Sequence, residues 1–335
     1  MADDQYLLHV KDVSVSIGTK KVCNAINFTM SSAKKMAIVG ANGAGKTSLL
    51  KCIAGLLQPD EGKILLNGKA IKGPHDQLIP GNKGIAYLSQ HFELRNNYTV
   101  KDLLNLFNKM DDASAQVIYT ACDINSLLDR KTHELSGGEK QRICLAITLT
   151  EKPALLLLDE PFSNADNLHK ESLKKLLDQI IRHLGVAVLV VSHEAADVLS
   201  WTEQLLLLHQ GNLLQMGAPE KIYYYPHNKL AAGLLGAYNY VQKGTVFWEL
   251  FLNDIKEGNA VIIRPNQLTI NNNADYFMQG TIVDFTFNGL YGLYQIESAE
   301  GLYSIATTVN AYKKGQTVRF GPLVNACYRL FNNAT

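Results

Sequence analysis

The hydrophobic positions of this chain change period several times, and each change marks a new element. Between residues 6 and 32 they alternate, as Leu8, Val10, Val13, Val15 and Ile17, then Val22, Ile26 and Phe28. Alternation of this kind predicts strands with one face buried. Lys63-Ile64-Leu65-Leu66 and Lys69-Ala70-Ile71 flank Asn67-Gly68, the pair favoured in two-residue hairpin turns. These stretches predict an antiparallel layer. Two later runs, 154–158 and 186–191, are apolar without alternating, as suits strands of a parallel sheet covered on both faces. Gly84-Ile85-Ala86-Tyr87-Leu88-Ser89 reads as a further core strand ending at Gln90. Helical spacing recurs over 48–54, 100–107 and 115–128, with Thr99 as the N-cap of the second. After about residue 240, short β-like segments (260–264, 280–287, 292–297, 302–307 and 317–320) alternate with Gly/Asn turns. They predict a small barrel or sandwich. The expected organisation is an α/β domain over 1–238, with a mostly helical insertion at about 91–134, and a β-rich domain over 239–335.

Composition narrows the functions available. With 335 residues, 47% of them hydrophobic, the chain can hold one large core and a smaller domain. A net charge of +1 without a Lys/Arg block gives no basis for nucleic-acid binding. The N-terminal Met-Ala-Asp-Asp-Gln lacks the features of an export signal. No apolar run nears the ~20 residues of a membrane helix. A soluble chain is expected, with any membrane role borrowed from a partner. The five cysteines (Cys23, Cys52, Cys122, Cys144 and Cys327) form no C-x-x-C pair, which fits free thiols in a reducing cytoplasm.

The chemistry is concentrated in three places. Gly40-Ala41-Asn42-Gly43-Ala44-Gly45-Lys46-Thr47, followed by Ser48, fits G-x-x-x-x-G-K-[ST] between the apolar run 36–39 and a helix. Strand, glycine loop and helix form the context of a phosphate-binding loop. Glycines at 40, 43 and 45 let the backbone approach phosphates, and the helix N-terminus faces the anion. Lys46 is placed to reach the β- and γ-phosphates and Thr47 to hold Mg²⁺. Leu155-Leu156-Leu157-Leu158-Asp159-Glu160 then delivers two carboxylates at a strand end. Asp159 is the expected water-mediated Mg²⁺ ligand, and Glu160 the general base for a water attacking the γ-phosphate. Leu135-Ser136-Gly137-Gly138-Glu139 opens an amphipathic helix. Ser136 suits an N-cap, and the glycines beside it also make a second anion site. Two phosphate sites with one nucleotide core invite a head-to-tail dimer.

In order and spacing, Gly40–Thr47, Gln90, Leu135–Glu139, Leu155–Glu160, Ser163-Asn164-Ala165-Asp166 and His193 resemble the ABC-type ATPase family, over roughly residues 6 to 236. The resemblance implies a RecA-like P-loop core that uses ATP and Mg²⁺. By it, Gln90 touches Mg²⁺ and senses a transmembrane partner. Ser136, Gly137, Gly138 and Glu139 meet the ATP of a second protomer, Asp166 lies across that interface, and His193 contacts the γ-phosphate. Two positions depart from the family pattern. Ile17 stands where an aromatic residue usually stacks on adenine, and Glu139 where Gln is commonest. A carboxylate beside phosphates needs an offset from Lys140, Arg142 or a hydrogen bond.

The tail extends the resemblance. Residues 218–239 and Arg264-Pro265-Asn266 are similar to the junction and C-terminal OB-like (TOBE) domain of bacterial importer subunits, with Asn266 in place of Glu. A regulatory or dimer-stabilising role follows from that likeness. The implied function is the ATP-hydrolysing subunit of an importer, a homodimer held on the cytoplasmic face of the membrane by integral permease subunits. An extracytoplasmic solute-binding protein would feed it indirectly, and no nucleic acid is expected. The alternatives are a soluble nucleotide switch acting on nucleic acid or ribosomes, and the motor of an exporter. The solute is not named by these residues.

Overall fold

The computed structural model describes residues 6–89, 94–95, 97–163, 165–252, 258–271, 277–308, 312–323 and 329–331. They fall into two compact units, Met1–Pro219 and Glu220–Thr335. In chain order the first unit holds β1 (Leu8–Ile17), β2 (Lys20–Met30), β3 (Lys35–Val39), α1 (Lys46–Ile53), β4 (Glu61–Leu66), β5 (Lys69–Ala70) and β6 (Ile85–Leu88). Then come α2 (Val100–Phe107), α3 (Asp112–Ala121), α4 (Gly137–Leu149), β7 (Leu155–Asp159) and α5 (Asn167–Leu184). The unit closes with β8 (Ala187–Ser192), α6 (Ala196–Leu199), β9 (Gln204–His209) and β10 (Asn212–Gly217).

Two sheets result. The antiparallel one runs β2-β1-β4-β5, and the larger runs β10-β9-β3-β8-β7-β6. Strands β9, β3, β8, β7 and β6 are mutually parallel, and β10 adds an antiparallel edge. Every residue of β7 and β8 is buried, as their unbroken Leu/Val content requires. In β1 the alternation skips from Val10 to Val13, and there the register shifts and Asp12 turns to φ 49°. The Asn27 side chain accepts the Asp12 N–H at 3.0 Å, so the bulge keeps its bonding while both apolar pairs face inward. Asn67 and Gly68 both have positive φ (48° and 73°) between paired Leu66 and Lys69, as a type I′ turn demands. Leu8, Val10 and Val15 share one core with Met36, Ile38, Leu49, Leu155 and Leu189, joining both sheets and α1. Each such side chain contributes about 1.5–3 kcal/mol by leaving water.

Of the helices expected between residues 100 and 128, one matches and one is shorter than its periodicity predicts. Thr99 caps α2, its hydroxyl accepting the Asp102 N–H at 3.1 Å. However, α3 covers Asp112–Ala121 rather than 115–128. Asp111 starts it early by accepting the Ser114 N–H at 2.9 Å. Asp123, at φ 51°, stops it, and a single 3₁₀ turn at Asn125–Leu127 follows.

The second unit contains α8 (Lys229–Leu234), β11 (Asn239–Gln242), α9 (Val246–Phe251), β12 (Ala260–Ile263), β13 (Leu268–Ile270), β14 (Met278–Phe287), β15 (Gly292–Ser298), β16 (Gly301–Thr307), β17 (Thr317–Pro322) and β18 (Arg329–Phe331). It opens with α7 (Pro219–Tyr224), which begins one residue before the division between the units. Antiparallel sheets β11-β12-β18 and β13-β17-β14-β15-β16 share a core of Phe247, Trp248, Ile263, Ile282, Tyr294 and Phe320. Arg264 is almost wholly buried. Its Nε donates to the Tyr223 carbonyl at 2.8 Å, and Nη1 faces the carbonyls of Ala232, Gly236 and Ala237, each at 3.1 Å. Its guanidinium lies 4.2 Å from the Tyr223 ring centroid. One cation thus gathers the carbonyls of a whole connecting segment.

Candidate functional site

The parallel strands β3, β8 and β7 are neighbours, so the segments leaving their carboxyl ends emerge side by side, where ligands of such sheets bind. From β3 comes the glycine loop, 40–45, running into α1. Gly45 has φ 101°, and a Cβ there would lie 2.1 Å from the Val22 carbonyl oxygen; at Gly40 it would lie 2.3 Å from that of Leu208. At these two positions the chain's own backbone, rather than a phosphate, excludes a side chain. Gly43 meets nothing within 4 Å and needs glycine for its φ of 77°. A cleft of about 510 Å³ opens over loop residues 42–48, with Lys20, Val22 and Glu160 in its wall. Ile17, the expected base-packing position, is exposed, and β2 supplies Lys20 and Val22 to the cleft wall.

Lys46 is buried to 5% exposure. Its ammonium donates to the carbonyls of Gly40 at 2.8 Å and Ala41 at 3.1 Å, and lies 3.7 Å from Glu160 Oε1. Burial pulls its pKa down, and the Glu160 and Asp159 carboxylates oppose that shift. The Thr47 hydroxyl donates to Asp159 Oδ1 at 3.1 Å, and the Tyr87 hydroxyl donates to Oδ2 at 3.1 Å. Burial raises the Asp159 carboxyl above its ordinary value, while these two bonds hold it down. Burial, with Asp159 beside it, also pushes the Tyr87 hydroxyl up, so it remains a donor.

Glu160 follows Asp159 in the left-handed region, at φ 51°, a conformation that costs a non-glycine residue of order 1 kcal/mol or more and persists where function fixes it. Its Oε2 lies 2.9 Å from His193 Nδ1. An ionised carboxylate only accepts, so Nδ1 carries the proton. His193 is the first residue after β8, which explains why a lone histidine arrives beside a strand-end acid from β7.

Ser136–Glu139 sit elsewhere. Ser136 caps α4, its hydroxyl accepting the Glu139 N–H at 3.3 Å while Glu139 Oε2 accepts the Ser136 N–H at 2.7 Å, a reciprocal capping box. Glu139 Oε1 lies 3.1 Å from Arg130 Nη1. The Ser136 N–H, then the Ser136 hydroxyl and the cations Arg130 and Arg142, hold its carboxyl below the usual range. The cation paired with Glu139 is therefore Arg130, since Arg142 turns onto Asp123 at 2.5 Å. Asp166 caps α5, accepting the His169 N–H at 2.9 Å and bonding His169 Nδ1 at 2.8 Å. A cleft of about 400 Å³ lies here, with Ser136, Gly138, Glu139, Pro161, Ala165 and His169 in its wall. It shares no lining residue with the cleft over the glycine loop.

The structure thus brings Lys46, Thr47, Asp159, Glu160 and His193 together and sets Ser136–Glu139 and Asp166 apart from them. Gln90 and Asn164 lie outside the described residues. Tyr87, Arg130 and His169 are contacts that the motifs do not reveal. Thr47 and Asp159 present adjacent hard oxygen donors. Among the described residues there is no group of three or more His, Cys, Asp or Glu able to hold a metal alone. This set fits Mg²⁺, which takes one or two protein oxygens and completes its shell with water and substrate phosphates.

A parallel sheet whose carboxyl edge carries a glycine loop, a buried lysine and paired strand-end acids defines a P-loop nucleoside triphosphatase. The family described as ABC transporter matches residues 23–163. The Fe(3+) ions import ATP-binding protein FbpC of Yersinia pestis bv. Antiqua (strain Antiqua) is 30% identical, over 78% of this chain and 79% of that protein. The spermidine/putrescine import ATP-binding protein PotA of Mycoplasma mycoides subsp. mycoides SC is 28% identical, over 93% of this chain and 94% of that protein. The solved structure of cbiO1 from Clostridium perfringens, part of the ABC transporter complex cbiONQ, superposes with a TM-score of 0.59 at 24% identity. It covers 65% of this chain and 91% of its own, and it speaks for the fold. The chain belongs to the ABC transporter family, as one of its ATPases.

Proposed function

We propose that this chain is the ATP-hydrolysing motor of an ABC importer, working as a homodimer on permease subunits at the cytoplasmic face of the membrane. The observation that carries the reading is the separation of the two clefts. The cradle holds lysine, carboxylates and histidine in one place, whereas the Ser136–Gly138 helix start faces another. A second copy placed head to tail would set that helix start against the first copy's nucleotide, giving two composite sites. Import is favoured by the FbpC and PotA relatives, which span nearly the same length and are named for import. No helix among the described residues is long and apolar enough to cross a membrane, so the pathway for solute would belong to partner subunits. The segment 239–335 would act as a TOBE-like regulatory or dimer-stabilising domain.

In this reading the Lys46 ammonium leaves the carbonyls of Gly40 and Ala41 for the β- and γ-phosphates of ATP. Glu160 orients and polarises the attacking water, and the His193 Nδ1–H holds its carboxylate in place. Mg²⁺, held by Thr47 and through Asp159, would supply neutralisation of phosphate charge during transfer. Ser136 and the N–H groups of α4 cap the γ-phosphate across the interface. The test is to purify the chain with the membrane proteins that accompany it. ATPase activity stimulated by those subunits in liposomes is expected. Stimulation by RNA or ribosomes instead would overturn the transport reading.

A further inference from the structure

Tyr87 lies outside every motif above, yet its hydroxyl is hydrogen-bonded to the carboxylate assigned to the metal. It stands on β6, in register with Leu157 of the parallel strand β7. Side chains two residues apart share a strand face, so Tyr87 looks along β7 towards Asp159. Its hydroxyl donates to Oδ2 at 3.1 Å while Thr47 donates to Oδ1 at 3.1 Å. The two donors address different oxygens of a carboxylate that is 6% exposed. Rotation of that carboxylate about its last torsion would break both bonds. Because Thr47 uses its proton on Asp159, its oxygen lone pairs remain directed outward as acceptors or ligands.

We propose that Tyr87 is a positioning residue for the nucleotide's divalent cation: it fixes the Asp159 carboxylate so that Asp159 and Thr47 present one preformed oxygen edge. The inference rests on reading Asp159 and Thr47 as the metal-holding pair. Partners that orient ligands from behind in this way change metal affinity by about 10–100-fold when removed. The half-buried Tyr87 ring packs against the core of the unit, so Tyr87→Phe keeps the packing and removes only the oxygen.

The experiment measures ADP binding to the full chain by calorimetry, with Mn²⁺ present and with metal removed by chelation, alongside the thermal midpoint. Electron paramagnetic resonance of Mn²⁺ counts bound metal independently of turnover. Tyr87→Phe is expected to weaken Mn²⁺-ADP binding at least tenfold, broaden the bound Mn²⁺ signal and leave metal-free ADP binding within about twofold. Unchanged Mn²⁺-ADP affinity overturns the proposal. So does a parallel loss of both affinities with a fallen midpoint, or failure to fold, since either marks a structural role. If the unsubstituted chain binds ADP equally with and without Mn²⁺, the metal assignment of Asp159 and Thr47 fails instead.

Discussion

Arg130→Gln isolates the electrostatics of the unusual signature. The substitution removes the cation 3.1 Å from Glu139 and leaves the Ser136–Glu139 capping box in place. Arg130 is half exposed, and exposed pairs contribute only about 0.2–1 kcal/mol, so the fold should survive. A neighbouring phosphate changes the balance. At an effective dielectric near 20, a carboxylate roughly 5 Å from a phosphate charge is repelled by about 3 kcal/mol, and in the proposed dimer a guanidinium at similar range would offset a comparable share. The expected loss in ATP-dependent association is ~1–3 kcal/mol, or about 5–150-fold. Glu139→Gln should preserve or strengthen association and ATPase activity. In the Glu139→Gln background, Arg130→Gln should cost less than about threefold. The assay is sedimentation velocity over a concentration series with Mg-ATP, using full chains that also carry Glu160→Gln to block hydrolysis. Equal penalties for Arg130→Gln in both backgrounds would show that Arg130 does not act through Glu139, and complete loss of turnover in Glu139→Gln alone would show that the carboxylate itself is required.

Three further outcomes are expected. Burial raises the folded-state pKa of Asp159, so the folded chain binds that proton more tightly than the unfolded one, and this group opposes folding as pH rises through the folded value. Asp159→Asn should therefore raise the nucleotide-free thermal midpoint by ~2–4 °C per kcal/mol relieved and abolish the further rise given by Mg-ATP; a lower midpoint would contradict this. Lys46→Ala should weaken binding of a fluorescent ATP analogue more than about a hundredfold, through loss of charged contacts of ~1.5–3 kcal/mol each, and retained affinity would displace the lysine from its role. Arg264→Met strips hydrogen bonds from four carbonyls and should destabilise the second unit by about 1–3 kcal/mol for each carbonyl left buried and unpaired, read by hydrogen exchange, with ATP binding intact.

Much of this was legible in the sequence because local physics determined it. Asn67-Gly68 encodes the tight hairpin and Ser136 the helix cap, whereas the β1 bulge at the skip from Val10 to Val13 and the return bond from Glu139 were not read from those residues. The convergence of Lys46, Asp159 and Glu160 followed from motif order. What escaped depends on which strands become neighbours or on competing local bonds. Tyr87 reaches Asp159 only because β6 lies beside β7. His193 meets Glu160 because β8 lies beside β7. The end of α3 was misjudged because the periodicity continues past Asp123, whereas the backbone there does not. The reason for glycine at 40 and 45 was also incomplete, since tight backbone approach within the chain requires it at both.

In the proposed motor two copies close on two nucleotides, each completing the other's site. Light scattering on the Glu160→Gln chain with saturating Mg-ATP reads that closure. The expected result is a shift from a 37.0 kDa monomer to a species of twice that mass, reversed by Ser136→Arg. A chain that binds ATP yet stays monomeric, or a dimer indifferent to Ser136→Arg, contradicts it.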